Sequence, residues 1–207
     1  MQRRRVMLAG KRPRLPKEYQ EVAFIRNHGT ELLEIPLPTF SGTTIHYKVK
    51  YKLLSTVGQR IIIQVPECQL GFAISSYITL INYSSGAGRI KYPITSFDEC
   101  DIDAWQSGNN LFLRVNGNSV SGQTTNLIFT QPYSLVCFGS KRVSNFGAIG
   151  EYEYVKAYMS TDESIPLCDL IPCYRKSDNE PGMYDLLGNA FYTNTGSGAF
   201  EVGPDVI

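Results

Sequence analysis

Histidine is almost missing from this chain of 207 residues, and the two present, His28 and His46, bound the chemistry it can do. A nucleophilic triad or a histidine-rich metal centre would have to use one of them, and no Gly-x-Ser-x-Gly elbow occurs. The five cysteines, Cys68, Cys100, Cys137, Cys168 and Cys173, include no Cys-x-x-Cys pair. That pattern fits neither a zinc site nor a redox motif, and reads as buried, reduced thiols of a protein made in a cytoplasm. Charged residues are scarce at 19%, and the net charge of +1 excludes the whole molecule as a polyanion binder. No run approaches the roughly 20 apolar residues of a membrane span. Met1–Arg5 begins like a leader, but Val6–Gly10 is too short for its apolar core, so no secretion signal is expected. No segment sustains a period near 3.6, which excludes a helical bundle. At most a turn of helix is expected, around Lys17–Glu21 or Asp162–Ile165.

What the chain has instead is the material of strands and turns: 13 Tyr, 10 Phe and 18 Gly, suited to pleated surfaces and tight reversals. In Ile45–Leu53, the residues Ile45, Tyr47, Val49, Tyr51 and Leu53 alternate with His46, Lys48, Lys50 and Lys52. Period 2 sends the first set to a core and the second to water. Arg60–Val65, Tyr77–Tyr83, Leu135–Phe138 and Ile149–Met159 read as further strands. In the last of these, Tyr152, Tyr154 and Tyr158 are expected to share one face. Leu111–Val115 runs into Asn116-Gly117, the strongest short hairpin signal. Tyr184–Leu187 turns at Gly188-Asn189 into Ala190–Thr193, and Gly196-Ser197-Gly198 bends the chain again before Phe200. Short strands punctuated by Gly, Asn and Ser argue an all-β, two-sheet antiparallel sandwich.

Charge is unevenly laid out. Arg3, Arg4, Arg5, Lys11, Arg12 and Arg14 crowd residues 1–14, whereas acids dominate past Ser160. Residues 1–14 read as a basic arm, too poor in apolar surface to order before it docks. Residues 15–207 form the domain behind it. The arm suits an acidic partner surface. A solvated tail is the alternative, and nucleic acid is disfavoured because no aromatic interleaving or reading motif follows.

Two stretches resemble a known family. Asp169–Asp205, from Asp-Leu-Ile-Pro-Cys-Tyr to Glu-Val-Gly-Pro-Asp, is similar to the closing segment of concanavalin A-like (laminin-G-like) proteins of phages and prophages of gut bacteria. Arg14–Thr30 resembles their opening motif, and Leu111–Gly117 matches the Val-Asn-Gly hairpin of laminin-G-like domains. The resemblance implies a jelly-roll sandwich and a virion structural protein (head fibre, decoration or tail appendage), made in the bacterial host cytoplasm. It also implies virion partners reached through the arm, a homo-oligomer such as a trimer, and adhesion to bacterial or mucosal glycans. The fold alone does not fix function, since this sandwich hosts lectins, hydrolases and passive modules alike.

Glu99, Asp101 and Asp103 share one strand face. Laminarinase-type glycosidases of the same superfamily place nucleophile, helper and acid as Glu-x-Asp-x-x-Glu. Glu99 and Asp101 match that pattern, but Ala104 stands where the acid belongs. Retaining hydrolysis needs two carboxyls about 5–5.5 Å apart, and Asp103 cannot simply substitute, so no catalytic residue and no enzyme activity are expected. Asp98, Asp101 and Asp103 are candidate ligands for Ca²⁺, a hard cation that takes oxygens; no other cofactor is expected. Sugar recognition is read at Trp105, the only tryptophan, with Asp103 and with Asn109 in the polar loop Gln106–Asn110. The competing reading buries Trp105 beneath that loop. Tyr83 beside Asn82 is a second candidate. The expected function is display of a lectin-like domain on a virion. A decoration or assembly protein without a ligand is the alternative, and a glycan hydrolase comes third.

Overall fold

A computed structural model describes residues 15–39, 42–55, 60–65, 70–74, 77–82, 88–94, 99–125, 134–139 and 149–207. Among these the secondary structure is strand and turn only. The strands begin with β1 (Tyr19–Glu21), β2 (Ile25–Asn27), β3 (Leu33–Pro36), β4 (Thr44–Leu53), β5 (Arg60–Val65) and β6 (Leu70–Ile74). They continue with β7 (Tyr77–Asn82), β8 (Arg89–Pro93), β9 (Glu99–Ser107), β10 (Asn110–Val115), β11 (Asn118–Gln123) and β12 (Ser134–Cys137). The last five are β13 (Gly150–Tyr158), β14 (Pro166–Arg175), β15 (Glu180–Asp185), β16 (Ala190–Thr193) and β17 (Glu201–Val202).

An 11-stranded antiparallel sheet runs β11-β10-β9-β4-β13-β14-β15-β16, with β1 added on β14 and β2 bridging β13 to β17. A 6-stranded sheet runs β3-β12-β5-β6-β7-β8. Between the two lies one apolar core. The alternation of β4 works as period 2 requires: Ile45, Tyr47, Val49, Tyr51 and Leu53 are all at most 1% exposed. Burying side chains of this size contributes roughly 1.5–3 kcal/mol each, which makes β4, flanked by β9 and β13, the central plank of the sandwich.

Local chemistry sets the reversals. Asn116 (φ 49°) and Gly117 (φ 86°) make the two-residue turn that pairs Val115 with Asn118; both residues need left-handed backbone there. The stretch Gln106–Asn110, read above as a loop, is mostly strand. Only Gly108-Asn109 turns, with Gly108 at φ 54° and Ser107 paired to Asn110. Gln106 is buried, and its side-chain amide holds the hairpin by donating to the carbonyls of Gly108 and Thr125, both at 3.0 Å.

Two other expectations are corrected. Lys17–Glu21 is not helical: Tyr19–Glu21 is strand β1, whose backbone finds its partners in β14. Tyr152, Tyr154 and Tyr158 do not share a face, because the β13–β4 register shifts between Tyr152 and Tyr154. One extra residue, Glu153, bulges there and inverts the alternation. Tyr152 therefore enters the core, while Tyr154 and Tyr158 lie outside.

Phe138 holds φ 73°, a backbone state a bulky residue adopts only when its surroundings enforce it. Buried Asn27 does this. Its amide nitrogen donates to Phe138 O at 3.3 Å and its oxygen accepts from Gly150 N at 3.1 Å. The Phe138 ring then meets Tyr152 edge-on with centroids 4.1 Å apart.

Candidate functional site

Register arranges the outer face of the larger sheet into cross-strand rows. One row in from the Gly108-Asn109 turn, Tyr158, His46, Trp105 and Phe112 stand directly opposite one another on β13, β4, β9 and β10. Their ring centroids are 5.5, 5.4 and 4.9 Å apart along the row. Trp105 and Phe112 are stacked within 14° of parallel, an arrangement that favours aromatic pairs beyond their buried area. The row ends at Ser121 on β11, the edge strand of the sheet. Trp105 thus stands half-buried on the outer face, not under its loop.

The next row carries charge. Asp169, Lys156, Lys48, Asp103, Arg114 and Ser119 face one another across β14, β13, β4, β9, β10 and β11. Lys156 pairs with Asp169 at 2.8 Å, Lys48 with Glu163 at 2.9 Å, and Arg114 with Asp103 at 3.4 Å. Farther along, Glu201, Arg26, Glu151, Lys52 and Glu99 alternate in sign across five strands. Arg26 bridges Glu151 and Glu201, both at 2.6 Å. The charges of this face therefore neutralise one another pair by pair.

Period 2 on β4 assigns His46 to water, but its residue is 2% exposed. The register places its ring between Trp105 and Tyr158, where Nε2 meets Asp103 Oδ1 and Nδ1 lies 3.4 Å from Ser160 O. Asp103 is half-buried. Burial pushes its pKa up, but the hydrogen bond from His46 and the charges of His46, Lys48 and Arg114 outweigh that and hold it below the usual carboxylate value. The turn after β13 walls this end of the row. Asp162 Oδ1 accepts from Ser164 N and Oγ at 3.1 and 2.7 Å, and Glu163 (φ 63°) reaches back over Lys48. The Tyr158 hydroxyl is pushed up to about 12 by burial and by nearby Glu163 and Asp169.

Of the residues singled out from sequence, Trp105, Asp103 and Asn109 belong to one corner of this sheet, with Asn109 exposed in the turn. Asn82 ends β7 in the other sheet. Tyr83, Asp98 and the arm residues Arg3, Arg4, Arg5, Lys11, Arg12 and Arg14 lie outside the described residues. Asp101 accepts from the Tyr154 hydroxyl at 3.0 Å, Glu99 pairs with Lys50, and Ala104 points into the core at 0% exposure. Among the described residues no three His, Cys, Asp or Glu side chains converge as a metal site. Cys100, Cys137, Cys168 and Cys173 are buried and form no disulfide, and burial pushes the last three thiols up. Phe112, Arg114 and Ser121 were not legible as a group. Their signal was Gly108-Asn109: a two-residue turn centred there sets position 105 against 112.

No protein-family model and no curated protein matches this chain. Solved structures do. A Bacteroides ovatus protein provisionally named carbohydrate-binding aligns with TM-score 0.59 and 10% identity over 90% of this chain and 62% of its own. Domains LG4-5 of the mouse laminin α1 chain give 0.58 and 10% over 89% of this chain and 46% of theirs. The native heptameric SAP-like pentraxin of Limulus polyphemus gives 0.53 and 12% over 69% and 77%. This chain thus spans less than two thirds of the Bacteroides protein and of the laminin domains. At such identities the likeness is one of fold: an all-β jelly-roll sandwich of the concanavalin A/laminin-G kind.

Proposed function

We propose that this chain is a non-enzymatic, lectin-like glycan-binding module, displayed in many copies on a phage virion and attached there through residues 1–14. The observation that carries the binding reading is the aromatic row ending at an open sheet edge. Trp105 backs Phe112, and Phe112 turns its other face toward small, exposed Ser121. A ring flanked by hydroxyl, amide and guanidinium groups is what a pyranose needs, since a sugar offers one apolar C–H face and a rim of hydroxyls. Binding of this kind is weak per site and becomes useful through multiple copies. The carbohydrate-binding name of the Bacteroides neighbour and the heptameric state of the pentraxin accord with this reading. Hydrolysis is disfavoured because Ala104 faces the core and Glu99, Asp101 and Asp103 already serve Lys50, Tyr154 and His46. The phage setting rests on the two terminal sequence motifs. If calcium takes part, a calcium-dependent rise in Tm is expected.

The test is binding of labelled protein to intact host cells. Saturable binding, competed by free surface polysaccharide and weakened by Trp105→Ala, is the expected result. A folded sample that does not bind would refute the lectin reading in favour of a purely structural decoration protein.

A further inference from the structure

We infer that the ligand of this site is an uncharged glycan, seated on a shelf whose wall is Phe112 and whose floor is the outer face of β11. The inference rests on the glycan-binding reading above and specifies what that reading leaves open. On β11 the outward residues opposite Asn110, Phe112 and Arg114 are Gln123, Ser121 and Ser119. Gln123 Nε2 donates to Asn110 Oδ1 at 2.7 Å, so the amides form a fixed, neutral pair at one end of the shelf. The cation at the other end, Arg114, is already committed. Its guanidinium leans over Trp105 at 5.7 Å, with NH1 3.4 Å from Asp103 and Nε 3.4 Å from Ser119 Oγ.

A uronate or sialate carboxylate brought to Arg114 would arrive beside the Asp103 carboxylate and meet like charge. The other cations of this corner are equally engaged, Lys48 by Glu163 and Lys156 by Asp169. Arg114 is half-exposed, 48% at its side chain, and keeps guanidinium protons free for sugar hydroxyls. An apolar wall, hydroxyl and amide flanks and a compensated cation together select hexoses by shape and hydrogen bonding, not by charge.

The experiment compares neutral probes, galactomannan and dextran, with acidic ones, polygalacturonate and alginate, at low and high salt (about 50 and 500 mM). Two variants are included: Phe112→Ala removes the wall, and Ser121→Trp fills the shelf from an exposed edge position without removing an aromatic. The expected result is binding of a neutral probe, changed less than about two-fold by salt and weakened about ten-fold or more in both variants. Tighter, salt-sensitive binding of an acidic probe would overturn the neutral-ligand inference and leave the glycan reading standing. Neutral binding untouched by both variants would overturn the shelf as its place. Binding of no probe, and none to host cells, would remove the glycan reading itself.

Discussion

Asp103 ties two neighbours together, His46 beneath it and Arg114 beside it, and its own ionisation is thereby linked to folding. Its pKa is held below that of the unfolded chain, about 3.9, so the native state binds this proton less readily. The stability it contributes is fully present above about pH 4 and is lost as pH falls through the native value. Asp103→Asn should therefore cost about 1–2 kcal/mol at neutral pH, the worth of a hydrogen bond to a charged group. The gap to wild type should shrink at pH 3, as read by urea unfolding at pH 7, 5 and 3. A gap that persists undiminished into acid would mean that the carboxylate contributes by packing alone. His46 shows the limit of sequence reading at this scale. Nothing within β4 distinguishes it from Lys48 or Lys50; what buries it is Trp105, 59 positions away by numbering and adjacent only through register.

Among the elements, β13 departs most from its pattern. The bulge at Glu153 lets Tyr152 fill the core beside Tyr51 and Phe138 while Tyr158 joins the outer row. Deleting Glu153 would remove the extra residue and leave Tyr152 opposite Tyr51 and Tyr154 opposite Lys50 in an unbroken alternation, so that every remaining side chain keeps its face. The deletion is expected to keep cooperative unfolding. Glu153→Ala, which loses the outer-face pair with Lys50, should cost about 1 kcal/mol. If the deletion instead abolishes cooperative unfolding, Glu153 is not the surplus residue of this strand. The strands β4, β5, β7 and β10 and the Asn116-Gly117 hairpin were legible because each is written locally, by alternation or by turn residues. The bulge was not, since Ile149–Met159 is apolar or aromatic on both faces and either phase would look acceptable. The rows of the candidate site are likewise products of pairing between distant strands. Trp105 could be picked out as an unusual residue, but its partners Phe112 and Tyr158 could not.

For the whole molecule, the question is how the chain enters it. Leu15 and Tyr19 rest on Ile171, Cys173, Tyr184 and Phe191 at the far end of β14, while the aromatic row crosses β13 opposite Pro166, where β14 begins. Tyr19 pairs with Arg175, nine residues beyond Pro166 along the same strand, or ~30 Å. Removing residues 1–14 should leave Tm within a few degrees of wild type and glycan binding intact, but the protein should no longer enter particles. Normal incorporation would dismiss these residues as the attachment. The seam at the entry has a mechanical meaning as well. Glu18–Val22 is tied to β14 residue by residue and runs antiparallel to it, from the Arg175 end toward the row. On its other side it is bridged to Asp205 and Val206. A pull applied ahead of Leu15, resisted by a ligand on the aromatic row, would load these hydrogen bonds along the strand axis. They would bear the force in parallel instead of opening one after another. The domain is thus connected in shear, the geometry that lets a tethered adhesive stay folded under drag.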